Sequence, residues 1–391
     1  MKIRNKAVSV VKICLLVILL LVGLTVLGCI GIRTSPEGGS GGTIADGTIF
    51  LCPALKQAGG FGCSAPVVEG KIVALNTSDG SRLWEAPLGA STPAGGGFGC
   101  AASAVPVAIY GNPAAVGDLV YVGGYNGKIY AINSASGVLR WVYPREGSLA
   151  AIVGGVVAAL DKIYFGCSDG RVYALDAATG DLQPGFPFVT GGKIWSTPVI
   201  DGETLYIGSF DKKLYALNAS DGSKKWEFST EGAIASTPLV YNNMVYVGSF
   251  DRYFYAVDAA TGSKKWEFET EKWFWTKAVA YNGTVYVGCF DGKVYALDAE
   301  NGEKTAEFDL ESPVYSWPVL VEGKVLVATE EGKVYALDTG NNQFELLTDL
   351  GEAVYTPLCA DDGVIYIYSQ GQNLYALNAE SGARLWSQTI K

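Results

Sequence analysis

Beyond residue 32, large apolar residues alternate with small or polar ones in short runs of five to seven positions. Residues 194–228 show the pattern most clearly. Ile-Trp-Ser-Thr-Pro-Val-Ile is followed by Asp201-Gly202, and Thr-Leu-Tyr-Ile-Gly-Ser-Phe by Asp211 to Lys213. Leu-Tyr-Ala-Leu-Asn-Ala then runs to Ser220-Asp-Gly222, and Lys-Lys-Trp-Glu-Phe closes the unit. A period of two argues for strands, and no comparable 3.6-residue pattern follows the first 32 residues. Asp-Gly, Asn-Gly and Asn-Asn pairs accept the positive φ that tight hairpins need, and they recur at Asn242-Asn243, Asn282-Gly283 and Asp291-Gly292. Each unit therefore predicts four short antiparallel strands.

The unit repeats. The phrase Gly-Ser-Lys-Lys-Trp-Glu-Phe stands at 222–228 and again at 262–268. It belongs to a longer motif, Tyr-Ala-Leu-Asp/Asn-Ala-x-x-Gly-x-x-x-Trp, of which eight copies begin at Val73, Tyr130, Tyr173, Tyr215, Tyr255, Tyr295, Tyr335 and Tyr375. The last five copies are 40 residues apart, and the first interval is stretched by a glycine-rich insertion. A fixed period in this range marks a solenoid, propeller or array. Four antiparallel strands per repeat predict an all-β, eight-bladed β-propeller. A lone four-stranded sheet leaves two apolar faces open, and ring closure gives each face a neighbour. In this reading Trp84, Trp141, Trp226, Trp266 and Trp386 dock each blade against the next. Blades three and six carry Pro184 and Ala306 where the tryptophan is expected, and blade seven offers Phe344. Those three seams are expected to be looser.

The motif resembles the repeat of the pyrroloquinoline-quinone (PQQ) propeller superfamily, over about residues 47 to 391. That superfamily includes quinoprotein alcohol dehydrogenases and the outer-membrane assembly lipoprotein BamB. The resemblance implies the propeller fold, whereas the motif positions are structural in every branch. The dehydrogenase branch implies an adjacent-cysteine disulfide, a stacking tryptophan, a catalytic aspartate and calcium or a related ion. The chain has no Cys-Cys pair and none of the long insertions of such enzymes. A bare ring behind a lipobox-like segment is more similar to the BamB branch, which implies a binding scaffold in envelope protein assembly.

The N-terminus refines the location. Lys2, Arg4, Lys6 and Lys12 precede an uncharged apolar run from Ile13 to Ile32, the pattern of an export signal. Two readings stand. Val26-Leu-Gly-Cys29 resembles a lipobox, so that residues 1–28 are removed and Cys29 carries lipid. Alternatively the 20 apolar residues remain as a membrane anchor. Either way residues 29–46 form a flexible tether and residues 47–391 the propeller, held at the periplasmic or extracellular face of a bacterial-type membrane. Taking these four basic residues from the 29 Lys and Arg leaves 25 against 39 Asp and Glu. Such an acidic domain is poorly suited to phosphate backbones, and nucleic acid is not an expected partner.

An exported chain permits disulfides. Gly-Gly-Phe-Gly-Cys occurs twice, ending at Cys63 and Cys100, and these two are the candidate bridge. Cys52, Cys167 and Cys289 close what reads as the same strand position in three repeats. Bridging there is excluded for distant blades because a disulfide needs Cα atoms within about 7 Å. Cys167 and Cys289 read as buried thiols.

The chain contains no histidine, which excludes Ser-His-Asp and Cys-His nucleophiles in their usual form and His-bound zinc or iron. No glycine-rich phosphate loop leads from a strand into a helix. Asp169, Asp211, Asp251 and Asp291 sit in hairpins and read as turn formers before metal ligands. No catalytic residue and no metal site is singled out, and no cofactor is expected. PQQ with calcium enters only if the chain is a quinone-dependent dehydrogenase.

The most informative non-repeat positions fall in the innermost strands. One column holds Trp195, Ala235, Trp275, Tyr315 and Tyr355, and a neighbouring one Thr197, Thr237, Lys277 and Trp317. Phe210, Phe250 and Phe290 occupy a turn expected on the same face. Two readings are open: an aromatic mouth for a peptide strand or planar ligand with Lys277 as its central cation, or rings that fill the wedge between blades. The leading expectation is a non-enzymatic, membrane-tethered scaffold for an envelope or secreted protein. The alternatives are a PQQ-dependent dehydrogenase and a carbohydrate- or small-ligand-binding propeller.

Overall fold

A computed structural model describes residues 40–53, 70–89 and 107–390, all within one unit spanning Pro36–Lys391. Cys29, Cys63 and Cys100, with the export segment, lie outside the described residues. The first strand, Thr43–Ala45, begins ahead of residue 47, inside the segment read as tether.

Eight four-stranded sheets follow one another, each built from four consecutive antiparallel strands in chain order. Blade four is representative, with strands Val199–Asp201, Thr204–Gly208, Lys213–Asn218 and Lys224–Ser229. Asn242 and Asn243 both take positive φ, as do Asn282 and Gly283, the conformation a right-twisted hairpin selects. The first strand is shorter than the pattern predicts. Pairing begins only at Val199, and at the equivalent residue in blades six and eight, where Ala278 and Leu358 stand in place of Pro198.

First strands of neighbouring blades touch one another at most seams, that between blades one and eight included. They form the inner wall of the ring, and fourth strands form its rim. Eight apolar clusters make up the core, and each one spans a seam between two blades. The cluster between blades four and five, for example, joins Tyr206, Leu214 and Trp226 to Val245, Val247 and Tyr255.

The tryptophan reaches its seam through a β-bulge. Ala216 pairs with Trp226 and Leu217 with Lys224, leaving Lys225 as the extra residue. A bulge re-aims side chains, and here it turns the indole onto the next blade. Trp226 Nε1 donates to Ala259 O at 3.0 Å, and Tyr206 Oη donates to the same carbonyl at 3.1 Å. The same pair of donors recurs from Trp141 and Tyr121 to Ala177 O, and from Trp266 and Tyr246 to Ala299 O. The indole lies on a glycine of the next blade: a Cβ on Gly262 would sit 2.7 Å from Trp226 Cδ2. Trp386 and Tyr366 close the ring in the same way, both donating to Thr77 O, with the indole on Gly80.

Two expectations about the exceptional seams need correction. In blade three Phe186, not Pro184, takes the place of the tryptophan. It is 7% exposed, lies edge-on to Tyr164 and contacts Gly222 of blade four, while Tyr164 Oη donates to Ala219 O at 2.8 Å. That seam is filled. In blade seven the register irregularity moves to Val334/Tyr335, so that Phe344 pairs with Leu337. Phe344 is exposed and lies edge-on to Phe308 of blade six, and Leu347 is the residue that meets Gly382 of blade eight.

The seams expected to be loose are therefore six–seven, where Ala306 replaces the indole, and seven–eight, where Leu326 and Leu347 supply no donor. Amide hydrogen exchange is expected to open these two ahead of seam three–four, which exchanges with the tryptophan seams. Equal protection at all eight would contradict this assignment.

The buried thiols are as expected for Cys167 and Cys289, which donate to Ala150 O and Trp273 O. Burial pushes both, and Cys359, up to about 12. Cys52 is also a buried free thiol, but the register places it one position before the other two: Phe50 pairs with Ala74 as Tyr164 pairs with Ala174.

Candidate functional site

The segment that leads into each first strand is irregular, yet its side chains still alternate. Ile194 and Ser196 are fully buried, while Trp195 and Thr197 are half-buried. Two anchors set this order. Ile194 fills the space above Gly166 of the preceding blade, where a Cβ would sit 2.1 Å from its Cγ2. The hydroxyl at the Ser196 position ties the segment to backbone: Ser236 to Gly248 O, Thr276 to Gly288 O, Ser316 to Ala328 O and Thr356 to Tyr368 O, all within 2.7–3.1 Å. With alternate residues fixed inward, positions 195 and 197 of the repeat are left for the side facing the axis.

The aromatic residues of these columns fall into two groups. In the first, Trp195 lies 4.7 Å from Phe210 and 6.4 Å from Trp275, edge-on in both cases. Phe250 stacks on Trp275 at 5.8 Å and on Trp273 at 5.3 Å, and meets Phe210 edge-on. Trp195 and Trp275 belong to blades four and six, and Ala235 holds their position in blade five between them. In the second group Tyr315 contacts Phe290 at 4.5 Å and Tyr355 at 5.2 Å, and Tyr355 Oη donates to Glu330 Oε1 at 3.0 Å. Trp317 is half-buried and touches no ring of either group. Trp273 is a member that the sequence columns missed, since it lies one residue ahead of the repeat segment.

Lys277 occupies the position of Thr197, Thr237 and Trp317. It is half-buried, and burial alone holds its ammonium below the usual lysine range. Aligning Ile109 to Pro113 and Ile152 to Val156 with Ile194 to Pro198 adds Asn112 and Gly155 to this column, which makes Lys277 its one cation among the described residues.

The hairpin aspartates are engaged in structure. Asp211 accepts from Lys213 N, Gly191 N and Tyr215 Oη, and Asp251 from Tyr253 N, Glu231 N and Tyr255 Oη. Asp169 and Asp291 make the corresponding turn and tyrosine bonds. Burial first, and the aspartate second, raises the tyrosine hydroxyls of this set. Each aspartate thus locks its turn to its own third strand, and those of blades four and five also hold the chain arriving from the blade before. Among the described residues no group of three or more Cys, Asp and Glu is placed to hold a metal ion.

The model of the family described as outer membrane protein assembly factor BamB matches residues 65–185 and 184–388. The chain belongs to this BamB family. Among solved structures, BamB from Moraxella catarrhalis is similar in fold, with 21% identity, 88% of this chain and 95% of that one covered, and a TM-score of 0.64. A computationally designed protein, Ika8, gives a TM-score of 0.66 at 16% identity, over 92% of this chain and 98% of its own. No curated protein sequence matches the chain directly.

Proposed function

We propose that this BamB-family propeller is a non-enzymatic scaffold that holds partner proteins during envelope protein assembly, outside the cytoplasm and on a membrane tether. The observation that carries the reading is the family match, which runs along nearly the whole ring. The N-terminal apolar run and the composition of the segment after it support the location.

The rim supports it and suggests where a partner docks. Outer strands in blades four and five carry Lys224, Lys225, Lys264 and Lys265, with Glu227 and Glu267 paired to Lys224 and Lys264 at 2.8 Å. Lysine on an edge strand discourages pairing with another chain. From blade seven through eight and one to two the guard is thinner: blades eight, one and two keep one arginine each, Arg384, Arg82 and Arg140, beside a leucine. Leu346, Leu385, Leu83 and Leu139 are each about half exposed on the outer strands. Leu83 and Leu385 stand where blade four has Lys225, and Leu139 where it has Lys224. An extended segment of a partner adding to this rim would gain main-chain bonds from the edge and apolar contact from the leucines.

A photocrosslinking residue at Leu385 tests this in cells. It is expected to trap a component of an envelope assembly machine, while the same residue at Lys225 traps none. Two results would overturn the reading: crosslinks of equal yield from both positions, or robust alcohol- or sugar-dependent dye reduction by the purified chain with PQQ and calcium.

A further inference from the structure

Lys277 is the one charged side chain in the inner column whose charge nothing answers. It makes no ion pair and no hydrogen bond among the described residues, whereas Lys213 of a third strand and the rim lysines Lys224, Lys264 and Lys304 all reach glutamates. No ring takes the charge either: the cation–π contact among the described residues is Lys304 over Tyr295. The ring as a whole is rich in acids, yet the positions equivalent to Lys277 are Gly41, Asn112, Gly155, Thr197, Thr237, Trp317 and Pro357, all uncharged. Withdrawing an ammonium from water without a partner is costly. The other blades meet this position with uncharged residues, and the seam packing asks nothing of it: Phe274 fills the space above Gly248, and Thr276 Oγ1 makes the backbone tie. Lys277 therefore adds a cost without contributing to the joint between blades.

What stands beside it is apolar and flat. Trp275 lies two residues before it on the same side of the segment, and Trp317 holds its position in the next blade. Trp195 reaches Trp275 across blade five, where Ala235 leaves room. A shielded cation in a column flanked by indole side chains is complementary to a single negative charge on an aromatic or planar body.

We propose that the axial mouth is a carboxylate-binding site, in which Lys277 takes the carboxylate of a ligand whose flat apolar body lies among Trp195, Trp275 and Trp317. A free small organic acid and the C-terminal carboxylate of a polypeptide share this chemistry. The site is independent of the rim described above, and its test does not depend on the scaffold reading.

The test uses the full-length chain in detergent and follows tryptophan fluorescence during titration. Two probe pairs separate the sources: 3-phenylpropionate against 3-phenylpropionamide, and the peptide acetyl-Ala-Ala-Tyr as free acid against its C-terminal amide. At least one acid is expected to bind tenfold or more tightly than its amide. Lys277→Met is expected to abolish that preference, and Lys277→Arg to keep part of it. Because Lys277→Met removes an unpaired, half-buried charge, its melting temperature is expected to equal or exceed that of the parent, so lost binding is not lost folding. Preference for the free acid of the peptide alone assigns the site to a chain terminus, and preference for phenylpropionate alone assigns it to a small acid. The proposal is overturned if neither acid binds, if acids and amides bind alike, or if Lys277→Met retains the preference.

Discussion

Trp266→Ala is expected to lower the stability of the propeller by about 3–5 kcal/mol, read as a shift of the denaturation midpoint. The indole is 8% exposed and belongs to the core between blades five and six. Its ring lies on Gly302, where a Cβ would come within 2.6 Å of Cδ2, so the contact has no slack that a smaller side chain could take up. Its loss leaves a cavity lined by two sheets, each already held by its own ladders, and neither collapses easily. The hydrogen bond contributes less to the cost. Ala299 O also accepts from Tyr246 Oη at 2.9 Å, so the carbonyl keeps a donor after Trp266 Nε1 is gone, and an orphaned acceptor is avoided. Tyr246→Phe alone should therefore cost only about 0.5–1.5 kcal/mol. Trp266→Ala combined with Tyr246→Phe should exceed the sum of the two single losses, because it leaves Ala299 O with neither donor. A loss under 1 kcal/mol for Trp266→Ala would mean that the ring is held by its inner strands and not by these seams.

Much of this seam was legible in the sequence because the repeat spells it out. The 40-residue period, the turn dipeptides and the spacing of alanine, glycine and tryptophan together specify four strands and a joint. The parts that were not legible depend on register. Phe186 lies six residues beyond Gly180, where the other blades place tryptophan four beyond the glycine, so a strict spacing finds Pro184 and passes over the residue that fills the seam. In blade seven the irregularity between strands three and four moves, and only the pairing shows that Leu347, not Phe344, meets the next blade. The candidate site divides similarly. The columns placed the aromatic residues on one side of the inner segments, because period two survives even where pairing does not. That Trp195 meets Trp275 over Ala235 depends on the radius of the ring and on a contact between blades that are not neighbours, which no local pattern encodes.

A glycine closes the second strand in blades two to six, at Gly123, Gly166, Gly208, Gly248 and Gly288. Its backbone takes no positive φ, so turn chemistry does not demand it; space does. A Cβ on Gly208 would lie 2.2 Å from Ile234 Cγ2 and 2.9 Å from Ile234 O. Because one of those atoms is backbone, the clash cannot be relieved by a rotamer change alone. Gly208→Ala is expected to cost about 1–3 kcal/mol as overpacking, and Ile234→Ala about 2–5 kcal/mol as a cavity. The double variant should cost less than the sum by about 1 kcal/mol or more, since each change relieves the other. Blade seven differs, with Ala328 at this position in one cluster with Val354 of blade eight. Strict additivity of the two variants in a denaturation series would show that Gly208 and Ile234 do not share one space, and that the inner wall is not built by this fit.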